Sequence, residues 1–135
     1  MANALYDLAR QAFLTGGLSW TADDVKVVLV DTGAYTVDLA NHQYLSSIAA
    51  GARIATSSNL TNKTATGGVA DADDVTLTAV TGVQSEALVL YKDTGNAATS
   101  PLIAYIDTST GLPITPNGAD IIISWNNGTN KIFKL

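Results

Sequence analysis

A mainly β (α+β) fold follows from three features of this sequence. Turn chemistry recurs at near-regular intervals from Gly51 onward, short β-branched runs fill the intervals, and helical periodicity is confined to two stretches. Together they predict one domain over 1–135, a β-sandwich or barrel-like unit of about eight strands with an N-terminal amphipathic helix and one further short helix.

Residues 3–15, NALYDLARQAFLT, place Leu5, Leu8, Ala9, Ala12 and Phe13 on one helical face and Asp7, Arg10 and Gln11 largely on the other. Asn3 is the expected cap, and Gly16-Gly17 the expected left-handed end. With one Arg and no Lys on its polar face, this helix suits packing on its own sheet better than a lipid surface. Val25–Asp31 is almost continuously apolar and reads as a central strand covered on both faces. Between Asp38 and Ile48, a capping Asp followed by Leu39, Tyr44, Leu45 and Ile48 predicts the second helix.

The remaining strands are expected over 52–56, 60–66, 75–80, 86–92 and 102–107. Asn126-Asn127-Gly128 then predicts a hairpin joining Ile121–Trp125 to Lys131–Leu135, with the last strand closing the domain. Trp125 alternates with Ile121 and Ile123 and is expected in the core, whereas Tyr35 and Tyr44 lie beside polar neighbours and are expected to be more open.

Composition narrows the function classes. Charged residues are 14% of the chain and apolar residues 47%, so Thr, Asn, Ser and Gly carry much of the polarity. Hydroxyls and amides cost less to desolvate than ions, which suits protein–protein contact. Seven scattered Lys and Arg against twelve Asp and Glu give a net charge of −5, which argues against a basic nucleic-acid groove. The absence of cysteine excludes disulfides and thiolate metal sites. Neither a signal peptide nor a membrane span is expected from the apolar pattern.

Catalytic patterns fail on inspection. His42 has neither a Gly-x-Ser-x-Gly elbow nor a second base candidate to accompany it. Asp71-Ala72-Asp73-Asp74 is oxygen-rich, yet it lacks the Gly and Glu spacing of a calcium loop and reads as a solvated turn. Glu86 is the one Glu, so no carboxylate pair is specified for glycoside hydrolysis, and Gly67-Gly68 is not followed by a phosphate-binding Lys. Three Asn-x-Thr triplets, at Asn59, Asn62 and Asn127, are expected by chance in a chain so rich in both residues. The expectation is a protein that is not an enzyme and takes no cofactor or metal.

Several segments carry a resemblance. Asn3–Asp7, Gln11–Leu14, Val25–Asp31, Ala34–Leu39, Ile106–Thr108, Gly111–Gly118 and Trp125–Gly128 together resemble a group of small virion structural proteins of tailed bacteriophages, over essentially the whole chain. The resemblance implies a head decoration or cement protein, made in the bacterial host cytoplasm and carried on the virion head surface. The partners it implies are the major capsid protein and neighbouring copies of the chain, a homotrimer being one such assembly, with no nucleic acid and no membrane. Tyr35, His42, Gln43 and Tyr44 are the expected capsid or partner contacts. The alternative is a tail- or fibre-associated virion component that binds a host-surface glycan, for which exposed aromatics would serve as stacking platforms.

Overall fold

A computed structural model describes residues 3–109, 111–125, 128–129 and 131–135. The chain is mainly strand, with one α-helix and short 3-10 turns among the described residues. Its strands are β1 (Ala4–Leu5), β2 (Val25–Val30), β3 (Arg53–Thr56), β4 (Val69–Ala70), β5 (Val75–Leu77), β6 (Ala87–Lys92), β7 (Leu102–Ile106), β8 (Ile121–Ile123) and β9 (Phe133–Lys134), and the helix is α1 (Asp7–Thr15). They form an antiparallel five-stranded sheet in the order β1-β7-β6-β2-β3 and two two-stranded sheets, β4-β9 and β5-β8. All three sheets are open, so the barrel alternative is not what these strands build.

The β2–β6 ladder is the middle of the large sheet, running from Val25↔Lys92 to Val30↔Ala87. Val25, Val27, Val28, Leu29 and Val30 are buried, as are Ala87 through Tyr91, so the two strands are covered on both faces. That is the physical meaning of an apolar run without alternation. On one face, Leu29 and Leu88 line a small cavity together with Ile121 and Ile123 of β8. At the outer edge, β3 pairs with β2 through a bulge between Leu29 and Val30. Bulged and four residues long, this edge is a poor template for unwanted strand pairing.

Four expectations are corrected. The N-terminal helix begins at Asp7 instead of Asn3, because Ala4 and Leu5 pair with Tyr105 and Ala104 of β7. Asn3 is no cap: its Oδ1 accepts from the N–H groups of Asp107 (3.0 Å) and Thr108 (2.9 Å), and its Nδ2 donates to Thr108 O (3.0 Å). The helix does end at Gly16, whose φ of 83° is left-handed. Within it Ala9 is buried, Leu8, Ala12 and Phe13 are half-buried, and Asp7, Arg10 and Gln11 face solvent.

The second helix is absent over 38–48, where a turn is followed by a 3-10 turn at Leu45–Ser47. Backbone groups that would have closed that helix are recruited from across the fold: Leu102 N–H donates to Gln43 O (2.8 Å) and Leu45 N–H to Ser100 O (2.8 Å). Over 60–66 the expected strand is reduced to one bridge, Thr64↔Asp71, after Asn62 turns the chain with φ 52°.

The terminal hairpin is replaced by two separate pairings. β8 pairs with β5 and β9 with β4, while Asn126 and Asn127 of the expected turn lie outside the described residues. Trp125 explains the divergence at one end, since its N–H donates to Asp74 Oδ1 (3.0 Å) and its indole N–H to Asp73 O (3.0 Å). Phe133 explains the other, seated edge-on to Trp20 at 5.2 Å and tilted against Phe13 at 6.3 Å. The core position expected for Trp125 is what the structure has, at 8% exposure.

Ion pairs stitch the far end of the central ladder. Lys26 reaches Asp93 at 2.9 Å, Lys92 reaches Asp23 at 3.3 Å, and Lys63 donates to Asp23 O. The hydrogen bond from Lys26, with help from Gly95 N–H, holds the Asp93 carboxyl below its ordinary range, and the same bond raises Lys26.

Three stability outcomes follow from this packing. Trp125→Ala should lower the unfolding free energy by about 3–5 kcal/mol and Phe133→Ala, at a half-buried site, by about 2 kcal/mol, both read from urea unfolding. Deleting Lys131–Leu135 removes β9 and the aromatic seat on Trp20, and should cost at least as much as Phe133→Ala; an unchanged urea midpoint would remove β9 from the core. Asp93→Asn keeps an acceptor for Gly95 N–H while removing the charge, so at pH 7 it should cost about 0.5–1 kcal/mol. Because the folded carboxyl is depressed, that difference is present above the unfolded value of about 4 and fades as pH falls through the folded value; because Lys26 is raised, it persists up to the unfolded Lys value of about 10 and is lost above it. A difference that grows on acidification would refute the assignment.

Candidate functional site

The four expected contact residues lie on the segment between β2 and β3, and their environments differ. Asp38 organises the segment, its Oδ1 accepting from the N–H groups of Ala40 (3.2 Å) and Asn41 (3.2 Å) and its Oδ2 from Asn41 Nδ2 (2.9 Å). Those bonds, that of the Asn41 side chain foremost, hold the Asp38 carboxyl below the usual carboxylate range. His42 N–H closes the turn on Asp38 O at 3.0 Å. Beyond it the backbone of Gln43 and Tyr44 runs beside the start of β7, with Tyr44 bridged to Pro101. The Gln43 side chain is exposed, while Tyr44 and His42 are half-buried.

Tyr35 departs from expectation. It is 5% exposed, so its ring is part of the core and not an open contact. Its hydroxyl lies 2.8 Å from His42 Nδ1 and 2.9 Å from the hydroxyl of Tyr6, which is fully buried. Asp38 N–H also donates to His42 Nδ1, at 3.3 Å. A nitrogen that receives a backbone N–H carries no proton, so His42 is the Nε2–H tautomer and Tyr35 donates to it. Tyr6 therefore donates to Tyr35, giving a chain with one direction: Tyr6, Tyr35, His42. Burial raises both phenols, and Tyr105 on β7 is pushed up to about 12, again chiefly by burial. Tyr6 carries no local signal of membership in this hydrogen-bond chain, since it sits 29 positions from Tyr35.

The acidic turn is engaged internally. Asp73 Oδ2 accepts from Thr61 Oγ1 (3.3 Å) and Asn62 Nδ2 (2.6 Å), Asp71 pairs with Lys131 at 3.6 Å, and Asp74 accepts from Trp125 N–H. Trp20 mirrors Trp125, donating its indole N–H to Asp71 O at 3.1 Å. Both indoles thus fasten the acidic turn to the core, and neither offers an open face for a sugar ring. Glu86 accepts from Thr32 N–H and Oγ1, each at 3.0 Å. Among the described residues, no group of three or more His, Cys, Asp or Glu is placed to hold a metal ion, and no helix is long and apolar enough to cross a membrane.

One open cleft of about 930 Å³ runs beside β8, lined by Leu88, Ile106, Ile123 and Trp125 with Asn3 and Lys131 at its polar margin. Ile122 stands on its rim, 69% exposed. Asn3 is already engaged by the strand end beyond β7 and Lys131 by Asp71, so these two polar groups at the margin serve the fold. No family model matches this chain, and no curated protein matches it.

Proposed function

We propose that this chain is a bacteriophage virion structural protein, a decoration or cement protein that sits on the outer head surface and bridges joints between major capsid subunits. In this reading the domain is sandwich-like, with the β5-β8 pair layered over the five-stranded sheet and Ile121 and Ile123 sharing a cavity with Leu29 and Leu88. The observation that carries the reading is the character of the loops. Their hydroxyls and amides are fixed by bonds to one another, as where Thr94 Oγ1 meets Thr99 Oγ1 at 2.7 Å and Ser100 Oγ donates to Asn96 O at 2.8 Å. Loops fixed before contact lose little entropy on docking, and hydroxyl and amide groups lose little hydration energy.

Gln43 and Tyr44 present such a surface, with His42 beside them and Tyr35 as their buried support. The partners are the major capsid protein and neighbouring copies, a small closed oligomer such as a homotrimer matching the symmetry of a shell. The resemblance to small phage virion proteins supports the same assignment.

A cryo-EM map of virions carrying this chain tests the proposal. Density at joints between capsid subunits on the outer head, with Gln43 or Tyr44 at the contact, is the expected result, together with roughly tenfold weaker binding of Tyr44→Ala to undecorated heads. Density confined to the tail, or none on the particle, would overturn it.

A further inference from the structure

We infer that His42 is a pH-sensitive latch on the 31–44 segment, holding it to the core only while Nδ1 is unprotonated. The inference rests on the direction of the hydrogen-bond chain and is independent of any role on a virion.

Two donors converge on Nδ1, the Tyr35 hydroxyl at 2.8 Å and the Asp38 N–H at 3.3 Å. A proton on that nitrogen turns an acceptor shared by two donors into a third donor. The Asp38 N–H then loses its partner. The Tyr35 hydroxyl must either let go or reverse, and reversal passes the conflict inward: Tyr35 would donate to Tyr6, and the Tyr6 hydroxyl, fully buried, would have to turn its own proton away from Tyr35. A buried donor without an acceptor is costly, so the cheaper response is for the imidazolium to leave the site for water. His42 is half-exposed and can make that move.

The surrounding groups set the balance. From the segment itself, Asp38 is the acid whose charge bears on His42. Its carboxylate is nevertheless engaged by Ala40, Asn41 and the Asn41 side chain. From the entry to α1 comes Tyr6, and from β7 comes Tyr105, both phenols kept neutral by burial; the charges of Asp107 and Glu86 bear on Tyr105, with Glu86 held by Thr32. Departure of His42 loosens the middle of a segment whose other attachments are Asp31 N–H to Ala52 O, Thr32 to Glu86, Asp7 N–H to Leu39 O (2.8 Å) and the sheet-side bonds of Gln43 and Leu45.

Imidazole nitrogen NMR and amide hydrogen exchange on the full chain, between pH 8 and pH 5, read this directly. At pH 8 the spectrum should show His42 as the Nε2–H tautomer. As the ring titrates, the protection factor of the Asp38 amide should fall about tenfold or more, while amides of Val27–Leu29 and Val89 stay constant. His42→Asn places a non-titrating oxygen near the position of Nδ1 and should abolish the pH dependence; Tyr35→Phe should lower Asp38 protection already at pH 8. The Nδ1–H tautomer at pH 8, an Asp38 amide indifferent to His42 titration, a ring that stays neutral throughout, or an identical pH response in His42→Asn would each overturn the latch.

Discussion

The structure depends on the antiparallel pairing of β2 with β6 over six consecutive residue pairs. Buried on both faces, these strands have no solvent to satisfy a broken ladder, so their register is fixed by every backbone group along it. A slip of β2 by one residue would turn Lys26 into the position of a buried valine and point Leu29 to the opposite face from Leu88. The ion pairs at one end, Lys26 with Asp93 and Lys92 with Asp23, lie where the ladder reaches water and mark the register without crossing the core.

Outside the large sheet, polar side chains that reach across long sequence distances add to the apolar core and the short ladders. Asn3 binds the chain after β7, Trp20 and Trp125 bind the acidic turn, Glu86 binds Thr32, and Tyr6 binds Tyr35. Such bonds compensate for short strands: β1, β4 and β9 are two residues each, too short to hold a sheet by ladder bonds alone. The large aromatics therefore act twice, through apolar area and through a single well-placed polar atom. The carboxylates of the acidic turn are drawn into the same scheme, with hydrogen-bond partners at Thr61, Asn62 and Trp125.

The legible parts of the sequence were those governed by local chemistry or continuous burial. Val25–Val30 announced a strand covered on both faces, Gly16 announced a helix end, and Ile123 and Trp125 announced a core. Illegible were the choices made by distant partners. Asn3 is a good cap in isolation, but the amides of Asp107 and Thr108 compete for it and win because pairing β1 to β7 buries Leu5. Asp38 signals a helix and closes a turn, yet the next residues find Ser100 and Leu102 before they find one another. In the last segment, alternating apolar residues signalled strands correctly, but not which strands they would meet. At the candidate site Gln43 and Tyr44 were legible as accessible polar and aromatic residues; the burial of Tyr35 was not, because it depends on Tyr6.

The same competition gives the 31–44 segment its character. It lies against a rigid sheet but owns no strand, so its attachment is carried by a handful of side-chain and backbone bonds and not by a ladder. Elements of that kind open locally with less free energy than the core they rest on. When one of the few bonds ends on an imidazole nitrogen that must remain an acceptor, the attachment inherits the chemistry of that nitrogen. A surface with hydroxyl, amide and aromatic groups at Gln43 and Tyr44 is then presented on a support whose firmness responds to protons, while the β2–β6 core beneath it does not.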